Sequence, residues 1–179
     1  MKVGLTILLL NAVLLLCACN SPEPETAEPE YGVFSFTHEL TLPGTPEVIY
    51  DAISGDISDW WDHSFSEQPY KMYIEAKPGG GFYEIFAESG DGVLHATVIA
   101  AQRGKLLRFV GPLGLAGYAV ELVNTYTFEP VGADSTLLKL EVHASGEIHP
   151  DWPDVVKNVW RHFLFEQFKP YVEEKRYLQ

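Results

Sequence analysis

The sequence predicts an α+β fold in which a curved antiparallel sheet packs against one long C-terminal helix. Between Val33 and Ala144 the chain alternates apolar and polar residues in short runs that Gly- and Pro-rich turns separate. This pattern is typical of β-strands joined by hairpins. The segment Asp151–Arg176 instead repeats apolar residues at spacings of three and four, which is the period of a helix. Runs of strands followed by a helix are typical of α+β domains.

The C-terminal helix has a strong start signal and a largely aromatic face. Asp151 is a favourable N-cap, and Pro153 lies in the first turn, where its missing N–H is not needed. Phe165 falls on the polar face, and Pro170 removes an intrahelical hydrogen bond, so we expect a kink or a restart there. The apolar face consists of Trp152, Val156, Trp160, Phe163, Leu164, Phe168, Tyr171 and Val172. A face of this size needs a concave apolar sheet to cover it.

The segments before this helix predict a sheet of about seven strands. We expect two short helices after the first strand, namely Pro46–Ser54 and a helix or helical turn over Asp56–His63. Trp60 and Trp61 cannot share a helix face, so one belongs to the core and the other to a pocket mouth. The helix cannot fill a strongly bent sheet, so a ligand-sized cavity is expected between them. The predicted strands are Val33–Leu42, Lys71–Ala76, Phe82–Ala87, Val93–Ala101, Lys105–Val110, Tyr118–Phe128 and Thr136–Ala144.

Residues 1–18 have the features of a bacterial signal peptide. Lys2 supplies the positive charge, and Leu5–Leu16 is an apolar run too short for a comfortable membrane span. Leu16 and Ala18 precede Cys19 as in a lipobox, the motif whose cysteine becomes the lipidated N-terminus. The alternatives are an ordinary secretory signal cut near Ala18 and an uncut N-terminal anchor. Residues 19–31 then form a disordered Pro/Glu tether to a folded domain over residues 32–176.

The lipobox predicts a protein of the bacterial cell envelope, anchored through a lipid on Cys19. Asn20 is not the aspartate that favours inner-membrane retention, so we expect the outer membrane, facing the periplasm. Both cysteines, Cys17 and Cys19, lie in the targeting segment, which excludes a thiol nucleophile in the domain. The formal net charge of −13 repels phosphate backbones, so no nucleic-acid partner is expected.

Six short motifs follow one another along the chain: Leu42–Ile53, Trp60–Trp61, Gly79–Phe82, Leu106–Phe109, Asn124–Pro130 and Ser135–Leu138. Taken in this order, they resemble the START-like (SRPBCC, helix-grip) superfamily. The resemblance is nearest to its heat-shock-ATPase-activator-like and polyketide-cyclase-like branches, and it covers about Val33–Tyr171. It implies a helix-grip fold with a deep apolar cavity for lipids, sterols, polyketides or other small hydrophobic molecules. No catalytic motif is shared across the superfamily, and the fold does not settle the activity.

On this basis the sequence predicts that the domain binds a small hydrophobic ligand between the sheet and the C-terminal helix. The apolar Gly111–Gly117 loop is a candidate lid. His38 is the polar exception on the apolar face of the first strand. It is either a core or edge histidine with one hydrogen bond or a polar group that lines the cavity. The predicted ligand contacts are Phe36, His38, Phe82, Phe109, Asn124, Tyr126, Trp160, Phe163, Leu164, Gln167 and Tyr171.

Two other functions stay open at this stage. A cyclase- or hydratase-type enzyme would use an inward acid or base such as Glu84 or His95, with Tyr126 as a hydrogen-bond donor. A buried Glu84 would have a raised pKa, unless it is paired, and the direction of His95 is undecided. A non-catalytic interaction module would instead have a filled core and an exposed apolar patch.

The remaining polar motifs predict no metal site and no cofactor. Asp62-His63-Ser64 contains the residue types of a catalytic triad, but adjacent residues do not form its relay geometry. His143 and His149 are separated by a glycine turn, and the sequence has no HExxH motif.

Overall fold

The computed structural model describes residues 30–179, which form one antiparallel eight-stranded sheet and a C-terminal helical segment. The strand order is β1-β8-β7-β6-β5-β4-β3-β2, so every neighbouring pair except β1 and β8 is consecutive in sequence. Alternate side chains of each strand point to the concave face, where the helix covers them. The strands are β1 Glu30–Pro43, β2 Gly55–Asp56, β3 Lys71–Ile74, β4 Gly81–Ile85, β5 Gly92–Gln102, β6 Leu106–Gly111, β7 Val120–Pro130 and β8 Ser135–Ile148.

The predicted α+β architecture is confirmed, with a difference near the first helix. The helix α1 spans Pro46–Ile53, and Asp56–His63 contains a helical turn, the second of the two alternatives that the sequence gives for it, with the N–H of Trp61 donating to the carbonyl of Ile57. Gly55 and Asp56 pair with β3, which raises the strand count from about seven to eight. The side chain of Asp56 accepts hydrogen bonds from the N–H and hydroxyl of Ser58. Such a local bond offers the backbone an alternative to helix.

The C-terminal helix changes its hydrogen-bond spacing along its length. It consists of α2 Trp152–Arg161, a π-helical segment His162–Phe168 and α3 Lys169–Glu173. The N–H of Lys169 donates to the carbonyl of Leu164, five residues earlier, instead of four. Pro170 has no N–H, and its ring would clash with the carbonyl of residue 166 in a regular α-helix.

The π-helical segment, hereafter the π segment, accounts for the irregularity that the sequence places at Pro170. The interruption begins eight residues earlier than that proline, at His162. It also turns Phe165 towards β1, where its ring lies 6.0 Å from that of His38. Phe165 is therefore half-buried, although the regular helical period places it on the polar face. Within residues 30–179, none of the helices is both long and apolar enough to span a membrane.

Candidate ligand-binding cavity

A cavity of about 340 Å³ lies between the sheet and the N-terminal half of the C-terminal helix. Its volume falls near the lower end of the range of roughly 300–1,000 Å³ that small-molecule sites occupy. Sixteen residues line it: Trp61, His63, Ser64, Phe65, Phe82, His95, Pro112, Leu113, Gly114, Leu115, Leu122, Val155, Val156, Val159, Trp160 and Phe163. Only three of these carry polar side chains, so the walls are overwhelmingly apolar.

Aromatic rings form the back of this cavity. Trp61 stacks on Phe163 with a centroid distance of 3.8 Å and an interplanar angle of 19°. Its indole also meets the ring of Phe82 edge-on at 4.9 Å and that of Trp160 at 5.8 Å. Trp60 is buried in the core instead. Trp60 is therefore the core member of the pair, and Trp61 lines the cavity.

The opening of the cavity lies between the helix and two loops. Val155 on α2 is 48% exposed and Phe65 is 50% exposed, although both line the cavity. The segment 112–115 covers another side, and its Leu113 is buried with a left-handed backbone at φ 52°. This is the central part of the loop that the sequence identifies as a candidate lid.

A buried acid–base pair, Glu84 and His95, forms the polar end of the cavity. Glu84 on β4 is 0% exposed and His95 on β5 is 5% exposed. The Nε2 atom of His95 lies 3.1 Å from Oε2 of Glu84. The His95 ring contacts the cavity and stacks on Phe65 at 5.5 Å. An ionised carboxylate accepts hydrogen bonds only, so Nε2 carries the proton and Nδ1 is left to accept a hydrogen bond or take up a proton.

Glu84 also fixes the loop at the cavity mouth. Its Oε2 accepts a hydrogen bond from the N–H of Phe65 at 2.9 Å. Its Oε1 accepts from both the N–H and the hydroxyl of Ser66, each at 2.8 Å. Burial raises the pKa of Glu84, but these three hydrogen bonds and that from His95 outweigh it and lower the pKa below its ordinary value. Glu84 is therefore the paired carboxylate that the sequence allows as the exception, and its pKa is lowered rather than raised.

A β-bulge sets the direction of His95, which the sequence leaves undecided. Phe82 on β4 pairs with Ala96, but the next residue, Tyr83, pairs with Leu94. His95 is the extra residue of β5, so His95 and Ala96 are both buried although they are adjacent. A bulge commonly re-aims one side chain in this way.

Three of the predicted ligand contacts line the cavity: Phe82, Trp160 and Phe163. The other eight lie elsewhere in the fold. Leu164 and Tyr171 are buried in the core, Phe36 is half-buried on β1, and Gln167 donates to Asp62. His38 contacts the carbonyl of Lys157 at 2.9 Å, as an edge histidine that finds one partner.

Three inward residues of the central strands, Phe109, Asn124 and Tyr126, are buried but do not line the cavity. Tyr126 packs 5.8 Å from the ring of Phe109 and 6.2 Å from that of Trp160. Burial raises the pKa of Tyr126 well above its ordinary value, so its phenol stays neutral at neutral pH. Asn124 is 0% exposed, and its Oδ1 has no hydrogen-bond partner among the described residues.

Sequence reasoning missed several wall residues, although their signals were present in part. Leu122 shares an inward strand face with Asn124, and Val156 belongs to the aromatic face of the helix. Val155 and Val159 gave no signal, because they flank that face rather than lie on it. The cavity occupies only the N-terminal half of the helix, which amphipathicity cannot indicate.

Three residues of the types that bind metal ions lie together at the mouth of the cavity. Asp62, His63 and His162 each offer one ligand atom, and these atoms all lie within 4.8 Å of one another. Asp62 and His63 precede the loop that Glu84 holds, and His162 is the first residue of the π segment.

No protein-family model matches the sequence, and no curated protein matches it in sequence. Solved structures do match the fold. The crystal structure of Ara h 8.0201 superposes with a TM-score of 0.57 at 16% identity, covering 80% of this chain and 99% of that chain. The solution structure of the Aha1 dimer from Colwellia psychrerythraea gives 0.53 at 18% identity, covering 78% and 96%.

A norcoclaurine synthase point mutant from Thalictrum flavum, solved with a transition-state analogue, gives a TM-score of 0.50 at 16% identity, covering 82% of this chain and 98% of that chain. At such identities these similarities show the fold alone. Together with the sheet order and the C-terminal helix, they show that this chain has a helix-grip fold.

Proposed function

We propose that the protein binds a small, largely apolar molecule in the cavity between the sheet and the C-terminal helix. The observation that carries this proposal is the cavity itself, with apolar walls and the Glu84–His95 pair at one end. Apolar walls supply affinity, and a few placed polar groups fix orientation. A ligand with one hydrogen-bonding group, such as a hydroxyl, fits this distribution best.

The aromatic walls favour a flat ligand over a flexible chain. Trp61, Phe82, Trp160 and Phe163 present ring faces and edges, and such rings pair with other rings in stacked or edge-on geometry. The volume of about 340 Å³ favours a ligand of one to three rings over a whole phospholipid. A small aromatic or polycyclic molecule is therefore the proposed ligand class.

Tryptophan fluorescence tests this proposal because Trp61 and Trp160 line the cavity. Titration with a panel of aromatic and polycyclic alcohols should give saturable quenching with a stoichiometry of one. Val155→Trp should fill the mouth and raise the dissociation constant at least tenfold. Val131→Trp is the matched control, because Val131 lies in the β7–β8 turn and has the same 48% exposure.

The proposal fails if none of the panel binds, or if the two tryptophan variants weaken binding equally. Equal weakening would place the ligand outside the cavity. Each variant carries one extra tryptophan, so the comparison rests on the dissociation constants and not on the quenching amplitudes.

A second candidate function is acid–base catalysis on the bound molecule. The observation that favours it is the orientation of His95 by a buried carboxylate, with its ring facing the cavity. General bases are commonly held in this way. One neighbour in the fold is a synthase, and the helix-grip fold is thus compatible with an enzyme. His95→Gln should then abolish turnover of a bound ligand while binding survives, whereas a carrier would show no turnover in either protein.

The membrane address remains a proposal from the sequence. The signal peptide, Cys19 and residues 20–29 of the tether lie outside the described residues, whereas Glu30 and Tyr31, which the sequence assigns to the tether, belong to β1. We expect that Cys19 carries a lipid that holds the domain at the envelope membrane. Metabolic labelling with palmitate tests this: Cys19→Ser should lose the label, and Cys17→Ser should retain it. Label lost in both variants or in neither would refute lipidation at Cys19.

A further inference from the structure

We infer that Asp62, His63 and His162 form a binding site for a divalent transition-metal ion of the zinc class at the mouth of the cavity. Two imidazoles and one carboxylate are a donor set that suits zinc, whereas magnesium and calcium prefer oxygen ligands throughout. Three protein ligands leave one position of a tetrahedral ion open to water or to another molecule.

The ligand atoms already converge. Oδ2 of Asp62 lies 2.6 Å from Nε2 of His162, and Oδ1 of Asp62 lies 3.0 Å from Nδ1 of His63. Zinc bonds of about 2.0–2.2 Å would place tetrahedral ligand atoms about 3.4 Å apart. The two hydrogen-bonded pairs therefore need to separate by less than an ångström, and the ligand atoms of the two histidines lie within 4.8 Å of each other. All three can do so by rotation, because they are 28–52% exposed.

A second set of contacts orients these ligands, as in known metal sites. Nδ1 of His162 lies 3.1 Å from Oε2 of Glu166, which leaves Nε2 facing the site. Metal-binding histidines almost always donate their other N–H to such an acceptor. Arg161 holds Glu166 at 3.0 Å, and Nε2 of Gln167 donates to Oδ2 of Asp62 at 2.9 Å.

The π segment brings this second set together. In an α-helix, residues five apart lie about 140° away from each other around the axis. The i→i+5 spacing of a π-helix brings such residues to the same side, and π turns are frequent at functional sites. His162 and Gln167 therefore both reach the carboxylate of Asp62. A regular helix through this segment would separate them.

The site also has a defined relation to the cavity. His63 lines the cavity, and its ring packs on that of Phe163 at 4.8 Å. The indole N–H of Trp61 donates to the carbonyl of His63 at 2.6 Å, which fixes this part of the backbone. An ion bound here would lie at the cavity entrance.

The same groups could instead form a hydrogen-bonded cluster that holds no ion, and direct metal binding distinguishes these two possibilities. The purified full chain is stripped with a chelator and titrated with Zn²⁺ by calorimetry. We expect one ion per chain with a micromolar or lower dissociation constant. Titration with Co²⁺ should give visible absorption bands of a four- or five-coordinate ion, without the near-ultraviolet thiolate band that Cys17 or Cys19 would produce.

Variants locate the ion. His162→Gln should weaken binding at least thirtyfold, and Glu166→Gln about tenfold, since loss of an orienting partner commonly costs 10- to 100-fold. His143→Gln is the control, because His143 is exposed on β8, away from the cluster. If His162→Gln does not fold, Asp62→Asn replaces it as the test. No stoichiometric binding, or equal binding by the cluster variants and the control, would overturn the inference.

Discussion

The carboxylate of Glu84 should hold the loop at the cavity mouth, and Glu84→Gln tests this with a minimal change in shape. Each carboxylate oxygen accepts one backbone N–H, from Phe65 on Oε2 and from Ser66 on Oε1. An amide has one oxygen, so its NH₂ group faces a backbone N–H in either orientation. At least one charged hydrogen bond is lost, at about 1.5–3 kcal/mol.

Removal of a buried charge is favourable by itself, but here four hydrogen bonds already compensate that charge. The loss should therefore dominate, and we expect Glu84→Gln to lower the free energy of unfolding by about 2–3 kcal/mol. For a domain of this size, the melting temperature should fall by about 5–10 °C. Hydrogen exchange at residues 62–68 should increase more than in the strands, because the loop loses its anchor.

Urea denaturation and amide hydrogen exchange measure the two effects. Glu88→Gln is the matched control, because Glu88 is exposed in the turn after the same strand. A Glu84→Gln variant within 0.5 kcal/mol of this control, with unchanged exchange in the loop, would refute the anchoring role of the carboxylate.

Three further predictions concern the same region. The lowered pKa of Glu84 stabilises the fold above the ordinary glutamate pKa of about 4.3, and this contribution is lost as the pH falls through the folded-state value. The free energy of unfolding should thus fall more steeply with decreasing pH in the wild type than in Glu84→Gln. Parallel plots of this free energy against pH would contradict the prediction. Gly111→Ala should lower the free energy of unfolding by about 2 kcal/mol or more and change the His95 NMR signals, because the new Cβ would lie 2.5 Å from the His95 carbonyl oxygen. A melting temperature equal to that of the wild type would contradict this prediction. Asn124→Leu should raise the free energy of unfolding, measured by urea denaturation, by about 1 kcal/mol. The substitution removes a buried acceptor that has no partner among the described residues. A lower free energy of unfolding would show that Oδ1 has a partner.

The architecture was predictable because it follows from periodicity. The aromatic face of Asp151–Arg176 and the alternating strands each required the other for burial, and the structure has both. At Asp56–His63 the sequence leaves a helix and a helical turn open, because an Asp-Ser local bond competes with the helix that its apolar residues favour.

The site was only partly predictable, because it depends on departures from periodicity. His95 faces inward through a bulge, and the bulge depends on how β4 and β5 pair. Gln167 and His162 reach Asp62 through the π segment, whereas a regular helix would separate them. Asp62, His63 and Ser64 have the residue types of a triad, but the histidine that contacts Oδ2 of Asp62 is His162, on a helix 100 residues away.

The cavity is the central claim, and native mass spectrometry of the protein purified from the cells that produce it tests that claim most directly. We predict a stoichiometric small hydrophobic molecule, recovered by solvent extraction and absent from the Val155→Trp variant. A clean mass for the unliganded chain, with no shift in melting temperature across fatty acids, sterols and aromatic polyketides, would contradict the claim.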